Sequence, residues 1–281
     1  MARIVKVSEI AEAVRNLCAQ VNFELPGDVK RKIEELSLKE ESLLGKEIFS
    51  QLLENATIAS SERIPLCQDT GLVVVFLELG QEVQLKGDSL YEAINRGVSE
   101  AYTENYLRAS MVADPLMRKN TQDNTPAVIH TEIVPGDRLR IWVVPKGGGS
   151  ENMSRLRMLK PAAGWEGIKH FVLETVEKAG ANPCPPVIVG VGIGGNFEKC
   201  AFLAKKALLR PLNQSHRDDG YARREDELLC AINGLGIGPQ GLGGRITALA
   251  VHIEAYPCHI ASLPVAVNIQ CHAARHMEIE L

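Results

Sequence analysis

The chain has 281 residues, 45% of them hydrophobic and 23% charged, with a formal net charge of −4. It is long enough to bury a core of its own. With no basic face and no aromatic-interleaved arginine run, it gives no support to a nucleic-acid partner.

No apolar run approaches the roughly 18 residues of a membrane-spanning helix. The N-terminus mixes Arg3, Lys6 and Glu9 where a secretory leader needs a basic start and an apolar centre. The expected location is therefore the cytoplasm, without a membrane partner. Seven cysteines, at 18, 67, 184, 200, 230, 258 and 271, are odd in number and lack a close repeated spacing, which argues against a disulfide framework.

Taken in chain order, Ile10, Val14, Leu17, Cys18 and Val21 recur at helical spacing. Val29, Ile33 and Leu36 do the same, then Leu43, Leu44, Ile48, Leu52 and Leu53, so three helices in a row are predicted. The valine-rich run 72–79 after Gly71 reads as a buried strand. Ser89 with Glu92 three residues on resembles a capping box that opens a helix running toward Arg108.

Beyond a polar stretch at 119–125, segments 127–134 and 138–144 are strand-like. Pro135-Gly136-Asp137 between them is turn chemistry, so a hairpin is expected. Strands and helices then alternate, with helices at 164–178, 197–209 and 225–235 and strands at 187–191, 246–254 and 265–270. The predicted fold class is mixed α/β of the α+β kind, a helical N-terminal portion packed on a mixed β-sheet portion. One domain spans 1–281, with a possible subdomain seam near 115–125 and no internal repeat.

Three cysteines each sit at the lip of an apolar strand-like run: Cys67, Cys184 and Cys271. That placement suits thiolates converging on one buried inorganic group. Three soft ligands can hold an iron–sulfur cube and leave its fourth iron open to a substrate oxygen, as a Lewis acid instead of an electron carrier. Cys18 and Cys230 fall on predicted apolar helix stripes and read as small buried hydrophobes.

Other motifs each carry two readings. Gly190, Gly192 and Gly195 spell G-x-G-x-x-G before a helix, but no strand with an acidic end follows about 20 residues on. A strand passing close to something bulky, such as a cluster beside Cys184, is preferred to a nicotinamide site. Gly147-Gly148-Gly149 is either a flexible loop or a backbone nest for an anion, with Arg108 and Lys146 as further anion partners. The glycine-rich stretch 234–244 is too long for a tight turn and is read as walling a site or crossing an interface. Asp69 is either a turn-forming residue before Thr70-Gly71 or a catalytic carboxylate. His259 is either structural or a donor of a proton or a grip on a carboxylate.

Assembled, these segments resemble the alpha subunit of the two-component class I fumarate hydratases, oxygen-sensitive iron–sulfur enzymes related to L-tartrate dehydratase. The carrying residues are Cys67-Gln68-Asp69-Thr70-Gly71, Leu107-Arg108, and Lys146-Gly147-Gly148-Gly149-Ser150-Glu151-Asn152. Cys184-Pro185-Pro186 leading into Gly190-Val191-Gly192-Ile193-Gly194-Gly195 adds to them, as do Gly236-Ile237-Gly238-Pro239-Gln240-Gly241 and Ser262-Leu263-Pro264-Val265-Ala266-Val267-Asn268 before Cys271.

The resemblance implies a [4Fe–4S] cluster on Cys67, Cys184 and Cys271 with one open iron. It implies a substrate site drawing on Gln68, Asp69, Arg108, Gly147, Gly148, Gly149 and His259, with Asp69 and His259 as catalytic candidates. Cys200 and Cys258 match no ligand position. A small dicarboxylate substrate is implied, together with a separate beta subunit that completes the active site, in a tetramer of two alpha and two beta subunits. Within the family, 146–152 and Gly194-Gly195 look more like the fumarate pattern than the L-tartrate one. The reading from another class is a scaffold or binding subunit whose glycines and cysteines are structural.

Overall fold

The computed structural model describes residues 3–281. In chain order the elements are β1 (Arg3–Lys6), α1 (Val7–Phe23), α2 (Gly27–Ser37), α3 (Leu43–Glu62), β2 (Leu72–Gly80), β3 (Val83–Lys86) and α4 (Leu90–Glu104). Next come β4 (Val128–Val134), β5 (Leu139–Lys146), α5 (Gly148–Glu151), β6 (Arg155–Leu159), α6 (Gly164–Ala179) and β7 (Val187–Gly194). The chain finishes with α7 (Phe197–Ala207), α8 (Asp219–Asn233), β8 (Ala248–Tyr256), β9 (Leu263–Gln270) and β10 (Met277–Glu280). The fold is mixed α/β, as predicted. Among the described residues, no helix is long and apolar enough to cross a membrane.

The chain divides into two compact units. The first comprises the chain up to Pro26, Asn55–Gly148 and Arg275–Leu281, and the second Gly27–Glu54 and Gly149–Ala274. Segment 115–125 lies inside the first unit.

In the first unit a four-stranded sheet runs in the order β10-β5-β2-β4, beside a parallel pair β1-β3. Successive strand residues point to opposite faces, so Val73, Val75 and Leu77 of β2 share a face with Leu139, Ile141 and Val143 of β5. That face is covered by Ile10, Val14, Leu17, Cys18 and Val21 of α1 and by Ile94, Val98, Ala101 and Tyr102 of α4. Ser89 caps α4 by accepting from the Glu92 N–H, as the sequence suggested.

The expected hairpin is not formed. β4 and β5 lie on either edge of β2, parallel and antiparallel to it respectively. The 135–137 turn wraps the end of β2, whose Gly80 N–H donates to Arg138 O at 2.8 Å while Glu82 N–H donates to Gly136 O at 3.0 Å. A strand as apolar as β2 is most stable with both edges paired, and that requirement overrides the local turn signal.

In the second unit the sheet order is β6-β9-β7-β8, and both faces are covered. Val187, Val189, Val191 and Ile193 of β7 pack with Phe171, Val172 and Val176 of α6 and with Leu228 and Ile232 of α8. The other face meets α7, against which Cys200 and Ala204 pack on Ala266 of β9. Here the glycine motif finds its explanation: a Cβ on Gly190 would lie 2.1 Å from Ala204 O, and one on Gly192 2.0 Å from Cys200 O. The bulk these glycines admit is α7, not a cluster beside Cys184.

Cys230 also departs from expectation. It is exposed, because α8 turns Glu225, Leu228 and Ile232 inward, and two residues past Leu228 is about 200° around the helix. Cys18 is buried, and burial pushes its thiol pKa up.

Candidate functional site

The candidate positions fall into both units: Cys67, Gln68, Asp69, Arg108, Gly147 and Gly148 belong to the first, and Gly149, Cys184, His259 and Cys271 to the second.

In the first unit the link between α3 and β2 carries the leading motif. Leu66 anchors it by packing on Ala56 and Ala59. Its backbone is held at both ends, Leu66 N–H donating to Asn22 O at 2.9 Å and Asn55 Nδ2 to Leu66 O at 3.0 Å. The part-exposed Cys67 thiol follows, donating to Gln68 Oε1 at 3.2 Å.

Asp69 does two things with its carboxylate. Oδ1 accepts from Gly71 N–H at 3.0 Å, the turn-forming role, and Oδ2 accepts from Gly148 N–H at 2.8 Å. The glycine run therefore does bind an anion, and within this unit that anion is Asp69. Gly71 has φ +75, and a Cβ there would lie 2.7 Å from Lys146 N, so only glycine lets the loop close on the end of β5.

Three side chains far from it in sequence hold this loop. Tyr102 Oη donates to Thr70 O at 2.6 Å, and burial pushes its phenol pKa up, so it stays a donor. Asn124 Nδ2 donates to Gly71 O at 3.0 Å while its Oδ1 accepts from Ser110 N–H at 2.7 Å. Arg275 is 1% exposed. It donates from Nη1 to Asn22 Oδ1 at 3.1 Å and from Nη2 to Asp69 O at 2.7 Å. Both acceptors are neutral oxygens, so no bonded carboxylate cancels that guanidinium charge.

Arg108 is exposed, and its main chain is tied to the same loop by Thr70 Oγ1 donating to Arg108 O at 2.9 Å. Lys146 is buried at the end of β5. This unit thus gathers Gln68, Asp69, Gly147, Gly148 and the main chain of Arg108 around one loop, with the Arg275 guanidinium bonded to neutral oxygens beside it, which suits an anionic ligand.

In the second unit Cys184 and Cys271 lie at the same end of the sheet, since Cys184 precedes β7 and Cys271 follows β9, with Ile188 paired to Gln270. Cys184 takes a left-handed backbone, φ +54, which a non-glycine residue adopts only when its surroundings enforce it. His272 supplies the enforcement, donating to Cys184 O from its N–H at 3.4 Å and from Nδ1 at 2.9 Å. A carbonyl only accepts, so Nδ1 carries the proton.

Gln240 holds the neighbouring residue, its N–H and Nε2 both donating to Pro185 O, at 2.7 and 3.0 Å, and Nε2 lies in contact with His272 Nδ1 at 3.2 Å without a hydrogen bond, since that N–H is given to Cys184 O. His272 and Gln240 were quoted in the motifs, but nothing local told of this pairing. Glu151, in the 146–152 motif, is held by Lys205 Nζ at 2.6 Å and Asn268 Nδ2 at 3.1 Å. Its role is to fix α5 to the sheet.

His259 is not brought to that end. It sits in the exposed loop between β8 and β9, where its Nδ1 accepts from Ala261 N–H at 3.1 Å. With Trp165, Tyr221, Arg224 and Ile260 it lines a cavity of about 370 Å³. Cys271 is at the opposite end of β9, whose 8 residues span roughly 26 Å at about 3.3 Å each.

No disulfide engages any of the seven cysteines. Among the described residues, no three His, Cys, Asp or Glu side chains form a single-ion site. Cys67 and Cys271 are part-exposed and Cys184 is exposed, so each of these soft donors is open to an incoming inorganic group.

Comparison with known proteins adds identity. A family model described as Fumarate hydratase (Fumerase) matches residues 11–280. A protein of Methanocaldococcus jannaschii, provisionally named L(+)-tartrate dehydratase subunit alpha, is 47% identical over 273 residues, covering 95% of this chain and 95% of that protein. The L(+)-tartrate dehydratase subunit alpha of Escherichia coli strain K12 is 36% identical over 272 residues, covering 96% of this chain and 89% of that protein. Since the match runs through the Cys67 loop of one unit and the Cys184 and Cys271 end of the other, the chain belongs to the fumarate hydratase family and is a hydro-lyase.

Proposed function

We propose that this chain is the alpha subunit of an iron–sulfur hydro-lyase that reversibly hydrates fumarate to (S)-malate, with a separate beta subunit completing the active site. The observation that carries the reading is the Cys67–Gly71 loop, which carries a part-exposed thiol and, two residues on, a carboxylate held by two backbone N–H groups, and whose Thr70 fastens the main chain of Arg108. The names of both relatives, each a subunit alpha, support a partner chain. The assembly proposed from the family resemblance is a cytoplasmic tetramer of two alpha and two beta subunits.

In this proposal Cys67, Cys184 and Cys271 hold a [4Fe–4S] cluster with one iron open. When bound, the cluster supplies a Lewis acid for the hydroxyl oxygen of the substrate. The chain's own residues do the rest. Arg108 presents a planar fork to one substrate carboxylate, and the buried charge of Arg275 raises the local potential where negative charge develops on the carbon next to it. Gln68 contributes an amide for orientation. In this proposal Asp69 holds or moves the proton at the neighbouring carbon, with its carboxylate held by Gly71 and Gly148 N–H groups. Gly147 and Gly149 keep the backbone at this motif free of side chains. His259 enters the substrate site through the family resemblance alone.

A second reading, L(+)-tartrate as substrate, is favoured by the names of both relatives. One support for fumarate also weakens: a Cβ on Gly194 would lie 1.9 Å from Tyr256 O, so that glycine has a packing reason of its own. The preference for fumarate then rests on 146–152. Co-expression with the beta subunit under anaerobic conditions, followed by assays on fumarate, (S)-malate and L(+)-tartrate, decides it. Turnover of fumarate and malate with little on tartrate is expected. The reverse ranking establishes the second reading, and turnover of none overturns both.

A further inference from the structure

The glycine-rich stretch 234–244 closes around a carboxylate from a distant part of the chain. Glu40, in the link between α2 and α3, is 1% exposed. Its Oε1 accepts from Glu41 and Ser42 N–H, each at 2.9 Å, and shares Arg245 N–H at 3.0 Å with Oε2, which also takes Ile246 N–H at 3.0 Å. Two of these donors lie more than two hundred positions away, separations of 205 and 206. The Arg245 guanidinium goes elsewhere, to Glu41 at 3.2 Å, so the partners of Glu40 are backbone amides.

Glycine is needed at this contact. Gly244 has φ +132, and a Cβ there would stand 2.9 Å from both Glu40 carboxylate oxygens. Burial pushes the Glu40 pKa up, but the N–H bonds from Arg245, Ser42, Ile246 and Glu41 outweigh it and leave the carboxyl below its ordinary range.

The same stretch carries Gln240, itself in a left-handed backbone at φ +53. Its ends are tied by Gly238 N–H to Thr247 Oγ1 at 3.1 Å and Gly243 N–H to Ile237 O at 2.9 Å. Gln240 donates to Pro185 O and packs against the His272 ring, 3.2 Å from its Nδ1, while His272 donates to Cys184 O from the position next to Cys271.

We propose that Glu40 is a positioning residue: an internal anion around which 234–246 folds, holding Gln240 against Pro185 and His272 and so fixing the backbone on which the Cys184 and Cys271 thiols are mounted. This rests on the reading of Cys184 and Cys271 as cluster ligands.

The test uses the complex of both subunits purified anaerobically, carrying Glu40→Gln or Gln240→Gly. Three properties are measured: amide hydrogen exchange across 234–246, the electron paramagnetic resonance spectrum of the oxidised cluster, and the rate of cluster bleaching in air. Glu40→Gln is expected to speed exchange in 234–246 at least tenfold. Both variants are expected to bleach at least fivefold faster with an altered spectrum, a signature that loss of loop stability alone does not produce.

Exchange at the original rate in Glu40→Gln overturns the proposal, and so does faster exchange with an unchanged spectrum and bleaching rate. If Glu40→Gln does not fold, Gln240→Gly decides, and original cluster properties there overturn it. Failure of the underlying reading shows separately, as a Cys184→Ser complex that keeps its full colour.

Discussion

Arg275 donates from Nη2 to the main-chain oxygen of Asp69 at 2.7 Å, across a sequence separation of 206 residues. A fully buried guanidinium thus holds the loop of Cys67 by its backbone instead of by a salt bridge. Its second arm reaches Asn22, whose own carbonyl takes the N–H of Leu66. Loop position and local positive potential therefore have one source.

Replacing Arg275 with Met removes the donor to Asp69 O and the charge together. A carbonyl left without its partner costs about 1–3 kcal/mol, and loss of the charge weakens dicarboxylate binding by about 1.4 kcal/mol, tenfold. The expected outcome is faster hydrogen exchange at 66–71 and a KM raised about tenfold in the assembled enzyme. An unchanged KM and unchanged exchange contradict the assignment.

Glu174 on α6 gives a pH dependence with a definite sign. Lys178 at 2.5 Å lowers its pKa most, desolvation opposes, and Arg155 at 3.3 Å and Arg157 at 3.2 Å add to the lowering, bringing it from 4.5 to about 2. The folded value lies below the unfolded one, so the stabilisation is fully present above about pH 4.5 and is lost as the pH falls toward 2. Thermal unfolding of the original chain and of Glu174→Gln should differ by a constant amount from pH 7 to 5, converge below 4.5 and coincide near 2. A difference that does not change with pH contradicts it.

Gly192 admits α7 to the sheet, and a Cβ there would stand 2.0 Å from Cys200 O. Gly192→Ala must push helix and strand apart, a strain of about 3 kcal/mol. The midpoint of urea unfolding should fall accordingly. An unchanged midpoint means the approach is looser than described.

Much of the fold was legible because its main elements carry their own signal. The apolar runs of β2 and β7 and the helical spacing of α1 report burial directly, and the Ser89 cap marks the start of α4. The short strands β6 and β10, Arg-Leu-Arg-Met-Leu and Met-Glu-Ile-Glu, are not legible in the sequence, since four or five residues with long polar side chains carry too little periodicity. The expected pairing of β4 with β5 does not form, because the turn at 135–137 is local information while the insertion of β2 between them is not.

The site divides the same way. Cys67, Asp69 and the 146–152 motif announce themselves by residue type and neighbours. Asn22, Tyr102, Asn124, Arg275 and Glu40 act by hydrogen bonds to distant backbone atoms. Such bonds leave no mark on the residues flanking either partner.

The most direct test of the central claim is the iron and sulfide content of the anaerobically purified two-subunit complex, compared with its Cys67→Ser, Cys184→Ser, Cys271→Ser and Cys230→Ser variants. The account predicts about four iron and four sulfide per alpha chain, retained in Cys230→Ser and lost with the brown colour in the other three. Full iron, sulfide and colour in any of those three would contradict it.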